Sequence, residues 1–279
     1  MYTVEPIGNE KYALGEGPYY DPRFKRFSWV DILGKKICFI EDNKKKEFDL
    51  PQLVGAAIPM ADGKGFLLAL EDGLYTWDEG KLNLYADLKN VYKDYWRSND
   101  AKADSKGRVW VGATAEGHDP EGNLYIYDNN KFRCMVPGTK ISNGMAWNSN
   151  KTKFFFSDSA EHGVFVFDYD EESGEIKNRK MLFPIEDGVP DGMTIDSEDN
   201  LWVAVWGGYR IEKRSGATGE LLDTIKVPAK QVSSCCFGDD DMKTLYITSA
   251  GIGQSGEFDG CLFKCRVEVT GVAPDYAAV

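Results

Sequence analysis

Histidine is scarce in this chain, and it has neither an excess of basic residues nor long apolar runs. The 279 residues include only His118 and His162, which argues against chemistry built on histidine clusters. Lysine and arginine number 33 against 45 aspartates and glutamates, a formal net charge of −12. This balance argues against a nucleic-acid partner, which would need a basic patch. No apolar run approaches the ~20 residues that span a bilayer, so we expect no membrane partner.

The six cysteines show none of the spacing that marks a disulfide framework or a zinc site. They are Cys38, Cys134, Cys235, Cys236, Cys261 and Cys265. We interpret them as reduced and mostly buried thiols, as is usual in the cytosol. Residues 1–6 have neither the basic nor the apolar region of a signal peptide, so a cytoplasmic location is expected.

Short strand-like runs separated by turn residues recur from end to end. Each unit begins with an Asp-, Asn- or Gly-rich turn, continues with an apolar run, and adds a second run rich in Tyr, Phe, Val and Ile. The apolar runs are marked by Phe27, Leu67, Trp110, Phe154, Trp202 and Leu245. These markers are 40, 43, 44, 48 and 43 residues apart, so the chain contains six units of similar length.

This period predicts an all-β fold, a six-bladed β-propeller with four-stranded antiparallel blades around a central channel. Six such blades use residues 1–279 as a single domain. We expect residues 2–7 to pair as an edge strand of the last blade, because that pairing closes the ring and covers an exposed edge.

The first strand of every propeller blade lines the channel, so equivalent positions form a ring. Counting eleven residues back from each marker gives Glu16, Ala56, Asn99, Asn143, Asp191 and Ser234. Two carboxylates and two amides, without thiol or imidazole, suit a hard divalent cation. A glycine follows three of these polar residues, and ordinary turn signals are the alternative interpretation. Three such pairs in register, each before an apolar run, favour the metal site.

Several longer motifs extend over the whole chain and are specific when taken together. They are Leu14-Gly-Glu-Gly-Pro18, Trp29-Val-Asp-Ile32, Arg97-Ser-Asn-Asp100 with Lys102 and Asp104, Ser142-Asn-Gly-Met-Ala-Trp147, Pro190-Asp-Gly-Met-Thr-Ile-Asp196 with Leu201-Trp-Val-Ala204, and Ser233-Ser-Cys-Cys-Phe-Gly238. With these motifs the sequence resembles the SMP-30/gluconolactonase/luciferin-regenerating family. The resemblance implies a six-bladed propeller that holds one divalent metal in its channel and hydrolyses lactones, typically sugar lactones.

The resemblance also implies roles for individual residues. The metal ligands of the family fall on Glu16, Asn143 and Asp191, and its substrate contacts fall on Arg97 and Asn99.

Two positions near the implied substrate site depart from the family pattern or fit it less directly. Glu116 aligns near a family acidic residue that contacts substrate hydroxyls, so we add it as a substrate-binding candidate. Ala101 stands where the family motif Asn-Asp-Gly-Lys has glycine, so the local turn is expected to differ.

The residue inventory favours metal-assisted hydrolysis over covalent catalysis. No Gly-x-Ser-x-Gly elbow is present. A bound cation would polarise the lactone carbonyl, and Asp191 would take the proton from the attacking water. Arg97 and Asn99 would stabilise the developing oxyanion. Calcium is the cation we expect first, and Mg²⁺, Mn²⁺, Zn²⁺ and Fe²⁺ suit such a site as well.

Three other functions stay open from the sequence. The chain could be a calcium-binding regulatory protein without catalysis, a hydrolase of another ester-like substrate such as a phosphotriester or a luciferin-type product, or an interaction scaffold. A substrate-orienting Arg97 argues against a calcium buffer, and channel carboxylates argue against a scaffold. The expected partner is a small-molecule lactone, and the expected assembly is a monomer or weak homo-oligomer.

Overall fold

Antiparallel strands in four-strand meanders make up most of the structure. The computed structural model describes residues 2–115, 119 and 121–279. The chain begins with β1 (Val4–Ile7). Four separate sheets follow in chain order: β2 (Gly15–Asp21), β3 (Arg26–Asp31), β4 (Lys36–Glu41) and β5 (Lys44–Asp49); β6 (Val54–Pro59), β7 (Phe66–Leu70), β8 (Gly73–Asp78) and β9 (Lys81–Asp87); β10 (Trp96–Ala103), β11 (Val109–Ala115), β12 (Gly122–Asp128) and β13 (Lys131–Thr139); β14 (Ser142–Trp147), β15 (Lys153–Asp158), β16 (Gly163–Tyr169) and β17 (Ile176–Pro184).

The remaining strands form one eight-stranded sheet. It contains β18 (Val189–Ile195), β19 (Asn200–Trp206), β20 (Arg210–Ser215), β21 (Leu221–Lys226), β22 (Gln231–Gly238), β23 (Thr244–Ala250), β24 (Leu262–Arg266) and β1. The count of blades therefore differs from the predicted six, since the described residues form five separate sheets. The cause is local, because the pairing of Trp206 with Gln231 joins β19 to β22 and merges two four-strand sets.

The N-terminal strand closes the sheet at its edge. β1 pairs antiparallel with β24, with Val4 opposite Cys265 and Ile7 opposite Leu262. The prediction that the N-terminal run pairs with the last strands is thereby confirmed for residues 4–7. The pairing covers an edge that would otherwise present unpaired backbone groups to solvent.

A closed ring of strands surrounds a central channel. β2, β6, β10, β14, β18 and β22 each contact the next in this order, and β22 returns to β2. The fold is therefore all-β and propeller-like, as the repeat predicted. The single helical segment among the described residues is a 3₁₀ turn, Ser159–Glu161. No helix in these ranges has the length and hydropathy that crossing a membrane requires.

Buried tryptophans on the second strands lie within the apolar clusters of the core. Trp29, Trp110 and Trp202 are at most 1% exposed. The turn before Trp110 contributes a buried carboxylate, because Asp104 accepts hydrogen bonds from the Trp110 indole at 3.0 Å and from Arg108 Nε at 2.7 Å. Asp196 accepts a matching bond from the Trp202 indole at 3.0 Å. The shared aspartate–tryptophan contact explains the regular marker spacing in these units.

The C-terminal segment lies across one end of the channel. Ala277 exchanges backbone hydrogen bonds with the region around β6, and Ala278 donates to Gly107 O at 3.0 Å. Asp275 forms an ion pair with Lys151 at 3.5 Å. Beneath this segment lies a cavity of about 80 Å³ whose lining includes Lys102. One end of the channel is thus covered by the chain itself.

Candidate functional site

A pair of buried carboxylates faces the channel. Glu16 on β2 is 8% exposed, and Asp191 on β18 is 4% exposed. Burial raises the pKa of Glu16 to about 8, and the charge of nearby Asp100 adds to the shift. Burial also raises the pKa of Asp191 well above its ordinary value, with the charge of Glu16 as the next cause. Ionising both of two neighbouring buried carboxylates costs much free energy unless a bound cation compensates their charge.

One oxygen of Asp191 lacks a partner within the described structure. Its Oδ1 is enclosed by protein and accepts no hydrogen bond from any described residue. An unsatisfied buried polar atom costs about 1–3 kcal/mol, so native proteins keep few of them. In the described ranges, no three His, Cys, Asp or Glu side chains are arranged to hold an ion. A cation at Asp191 would therefore depend on a neutral oxygen ligand as well.

Asn143 on β14 is placed to supply that neutral oxygen. Its amide nitrogen donates to Ser159 Oγ at 3.0 Å, and Ser159 donates onward to Pro190 O at 2.7 Å. These bonds fix the amide plane and direct the Asn143 oxygen to the opposite side of the amide group. Asn143 also offsets part of the upward pKa shift of Asp191. The fit of a carboxylate pair and an amide oxygen to a hard divalent cation is good.

Arg97 and Asn99 form a second polar group beside this site. Arg97 is buried on β10 and donates from Nη1 to Asn99 Oδ1 at 2.9 Å. Asn99 in turn donates to Ser142 O at 3.0 Å, directly before Asn143. This chain of bonds ties a guanidinium and an amide to the strand that carries a candidate metal ligand.

The channel strands are irregular where they carry these side chains. Register shifts interrupt the pairing of β10 between Ser98 and Ala101, and that of β18 between Pro190 and Met193. Similar shifts occur in β2, β6, β14 and β22. A bulge leaves residues outside the regular two-residue alternation. Asn99 and Asp100 are adjacent in β10, yet Asn99 bonds toward β14 while the charge of Asp100 acts on Glu16.

Glycines allow the channel strands to approach one another closely. A Cβ atom on Gly144 of β14 would lie 2.6 Å from Asp191 O and 2.7 Å from Met193 N. A Cβ atom on Gly192 of β18 would lie 2.0 Å from Ser234 Oγ. Neither contact has room for a side chain. The glycines that follow Asn143 and Asp191 therefore serve close approach rather than hairpin turns.

The structure gathers most of the predicted site residues on the ring of channel strands. Glu16 and Asp191 form the carboxylate pair, Asn143 lies beside Asp191, and Arg97 bonds Asn99. Glu116, the remaining substrate-binding candidate, lies outside the described residues.

Three further residues at this site were not singled out from the sequence. Asp100 is a third buried carboxylate, Lys102 a half-buried amine, and Ser159 the hydroxyl that orients Asn143. Asp100 ends the Arg97-Ser-Asn-Asp100 motif and Lys102 was grouped with it, so their signal was present. Ser159 follows a strand end and carries no sequence signal of its own.

These features define a class of protein, an all-β propeller with a buried acidic site in its channel. The family model described as the SMP-30/Gluconolactonase/LRE-like region matches residues 14–251. The chain belongs to this family.

Sequence relatives and solved structures match this chain over nearly all of their length. Regucalcin of Danio rerio is 33% identical over 97% of this chain and 97% of its own. A luciferin-regenerating enzyme superimposes with a TM-score of 0.94 at 32% identity, covering 100% of both chains. A calcium-binding regucalcin from Agrobacterium tumefaciens gives 0.94 at 24% identity over 100% of this chain and 98% of that one, a likeness of fold alone.

Proposed function

We propose that this protein is a divalent-metal-dependent lactonase that hydrolyses small sugar-acid lactones. The observation that carries the proposal is the buried pair of Glu16 and Asp191, with one carboxylate oxygen lacking a partner. Membership of a family whose description includes gluconolactonase supports the reaction class. The Arg97–Asn99 pair supports catalysis over simple ion storage, because a bound cation alone needs no guanidinium beside it.

Glu16, Asn143 and Asp191 would hold the cation. All three ligands offer oxygen, which favours Ca²⁺ first and admits Mg²⁺, Mn²⁺, Zn²⁺ or Fe²⁺. When bound, the metal would supply Lewis-acid polarisation of the lactone carbonyl.

The side chains divide the remaining work. Asp191 would take the proton from the attacking water. Arg97 and Asn99 donate hydrogen bonds to the substrate and to the oxyanion that develops at its carbonyl carbon. The buried position of Asp191 limits competing proton exchange with bulk water.

A pH-stat screen of sugar-acid lactones tests the proposal. The protein is stripped with a chelator and assayed alone, then with each divalent cation. We expect hydrolysis above the spontaneous rate only with metal, and loss of that activity in Asp191→Asn. Glu172→Ala, at an exposed surface ion pair, is the matched control. Failure of every lactone with every metal contradicts the proposal.

A calcium-binding regulatory protein without catalysis is the second candidate. The calcium-binding description of the Agrobacterium neighbour favours it, although that likeness extends to the fold alone. The same screen separates the two functions when it is combined with calorimetry. Tight calcium binding without hydrolysis of lactones or of other ester-like substrates, including phosphotriesters, favours the regulatory protein.

We further propose that the eight-stranded sheet acts as two blades, so that the propeller has six. The closed ring of six channel strands supports this, because a single residue pair joins the two halves of that sheet. The working form would then be one domain spanning residues 1–279, monomeric or weakly associated, in the cytoplasm. Its partner would be the small-molecule lactone rather than nucleic acid or membrane.

A further inference from the structure

Lys102 extends from one channel strand to two others. It lies on β10, three residues after Asn99. Its ammonium group donates to Met145 O on β14 at 2.8 Å and to Met193 O on β18 at 2.6 Å. One side chain therefore connects three neighbouring channel strands, each from a different sheet.

The two acceptor carbonyls occupy equivalent positions relative to the candidate metal ligands. Met145 stands two residues after Asn143, and Met193 stands two residues after Asp191. In both strands the regular pairing is interrupted at the ligand residue and resumes at the methionine. Met145 of β14 lies opposite Phe156 of β15, and Met193 of β18 lies opposite Val203 of β19.

The bulges create a need for such a connection. Cross-strand pairing does not fix the ligand residues inside a bulge, so their separation depends on contacts between the sheets. Gly144 brings β14 against β18 on the ligand side. Lys102 holds the same two strands two residues further along, where each returns to regular geometry.

Keeping the charged amine of Lys102 away from water opposes folding. Burial lowers the pKa of this amine, and the charges of Asp100 and Glu16 oppose that effect. A lysine that only neutralised the carboxylates could do so from the channel wall without donating hydrogen bonds to two backbone carbonyls. The bonds to β14 and β18 therefore call for a role in geometry beyond charge.

We infer that Lys102 is a positioning residue that clamps β14 to β18 and so sets the separation of Asn143 and Asp191. The inference rests on the proposed metal-dependent function. It extends that function to a residue that touches neither the metal nor the substrate.

Calorimetric titration with Mn²⁺ and Ca²⁺ distinguishes a clamp from a counter-charge by the sign of the effect. Lys102→Met keeps the side-chain length but removes donors and charge. Loss of a clamp weakens metal binding, by about 10- to 100-fold for an outer partner of this kind. Loss of a counter-charge alone would strengthen it, because the cation then meets a more negative channel.

A second variant separates hydrogen bonding from charge. Lys102→Gln removes the charge but keeps two N–H donors, so we expect its metal affinity to lie between those of the wild type and Lys102→Met. In lactone assays of the Lys102 variants, kcat should fall more than KM rises, because the proposed substrate contacts Arg97 and Asn99 keep their places on β10. The control is Lys213→Met, which removes a partly buried lysine of β20, a strand outside the channel ring, that forms an ion pair with Asp196 at 3.3 Å.

Gly144→Ala tests the same geometry with every charge intact. We expect this variant to weaken metal binding as Lys102→Met does, because the added Cβ atom would force β14 away from β18. Thermal unfolding verifies that each variant is folded. Unchanged or tighter binding in Lys102→Met overturns the clamp. If the wild type binds no divalent cation, the proposed function fails and the clamp falls with it.

Discussion

The buried Glu16 carboxyl should make the metal-free protein less stable as pH rises. Its pKa is raised from 4.5 to about 8, so between these values the folded protein keeps a proton that the unfolded chain has released. The folded state then binds more protons, and its stability falls with increasing pH. The contribution of Glu16 to the free energy of unfolding is at its maximum below pH 4.5 and has decreased fully by about pH 8. At 1.36 kcal/mol per unit, the loss between pH 5 and 7 is at most about 3 kcal/mol.

Glu16→Gln isolates this contribution, because glutamine keeps the shape of a protonated glutamate and does not titrate. Urea unfolding of both proteins with a chelator, at pH 5, 6 and 7, gives the difference in the free energy of unfolding. We expect the wild type to lose up to about 3 kcal/mol relative to Glu16→Gln across this range. A difference that stays constant with pH would refute the reasoning.

Saturating calcium should reverse the slope for the wild type. A metal that binds the ionised carboxylates competes with protons, so its affinity rises with pH, and binding to the folded state stabilises it. Glu16→Gln lacks one anionic ligand and should gain less. Equal slopes with calcium and with chelator would show that the carboxylate pair does not bind the ion.

Three further outcomes follow from particular contacts. Asp104→Ala should lower the free energy of unfolding by about 3–5 kcal/mol, since buried Arg108 loses its carboxylate, whereas exposed Glu172→Ala should cost at most about 1 kcal/mol in urea titrations. Deleting residues 272–279 should lower the thermal midpoint but leave calcium affinity within error. Arg97→Ala should raise the KM for lactones in steady-state assays without weakening calcium binding measured by calorimetry.

The repeat could be counted from the sequence because its markers occupy equivalent positions in the structure. Trp110 and Trp202 each lie six residues after a buried turn aspartate that accepts a hydrogen bond from the indole. That constraint keeps the distance from marker to channel nearly constant. Counting back eleven residues from Trp202 therefore reached Asp191, and the same count from Phe27 reached Glu16, which is also buried.

Other features of the site had no local signal. Asp100 escaped the count because the count selects one position in each unit, whereas the bulge in β10 brings both Asn99 and Asp100 to the site. The contacts of Lys102 join residues 43 and 91 positions apart, which periodicity cannot reveal. The number of separate sheets was missed because one pair, Trp206 with Gln231, merges two of them.

The channel strands depart from regular geometry where the candidate site lies, and the surrounding packing makes this possible. Burying Glu16 and Asp191 as neighbours opposes folding, and so do the interrupted ladders that carry them. Fully buried side chains such as Trp29 and Trp110, between the sheets, supply compensating stability outside the channel. A cation at the carboxylates would remove much of the electrostatic cost, so stability and metal binding should be linked at this site. Substitutions of the aromatic core should lower stability with and without metal, whereas substitutions of the carboxylates should change chiefly the difference between the two states.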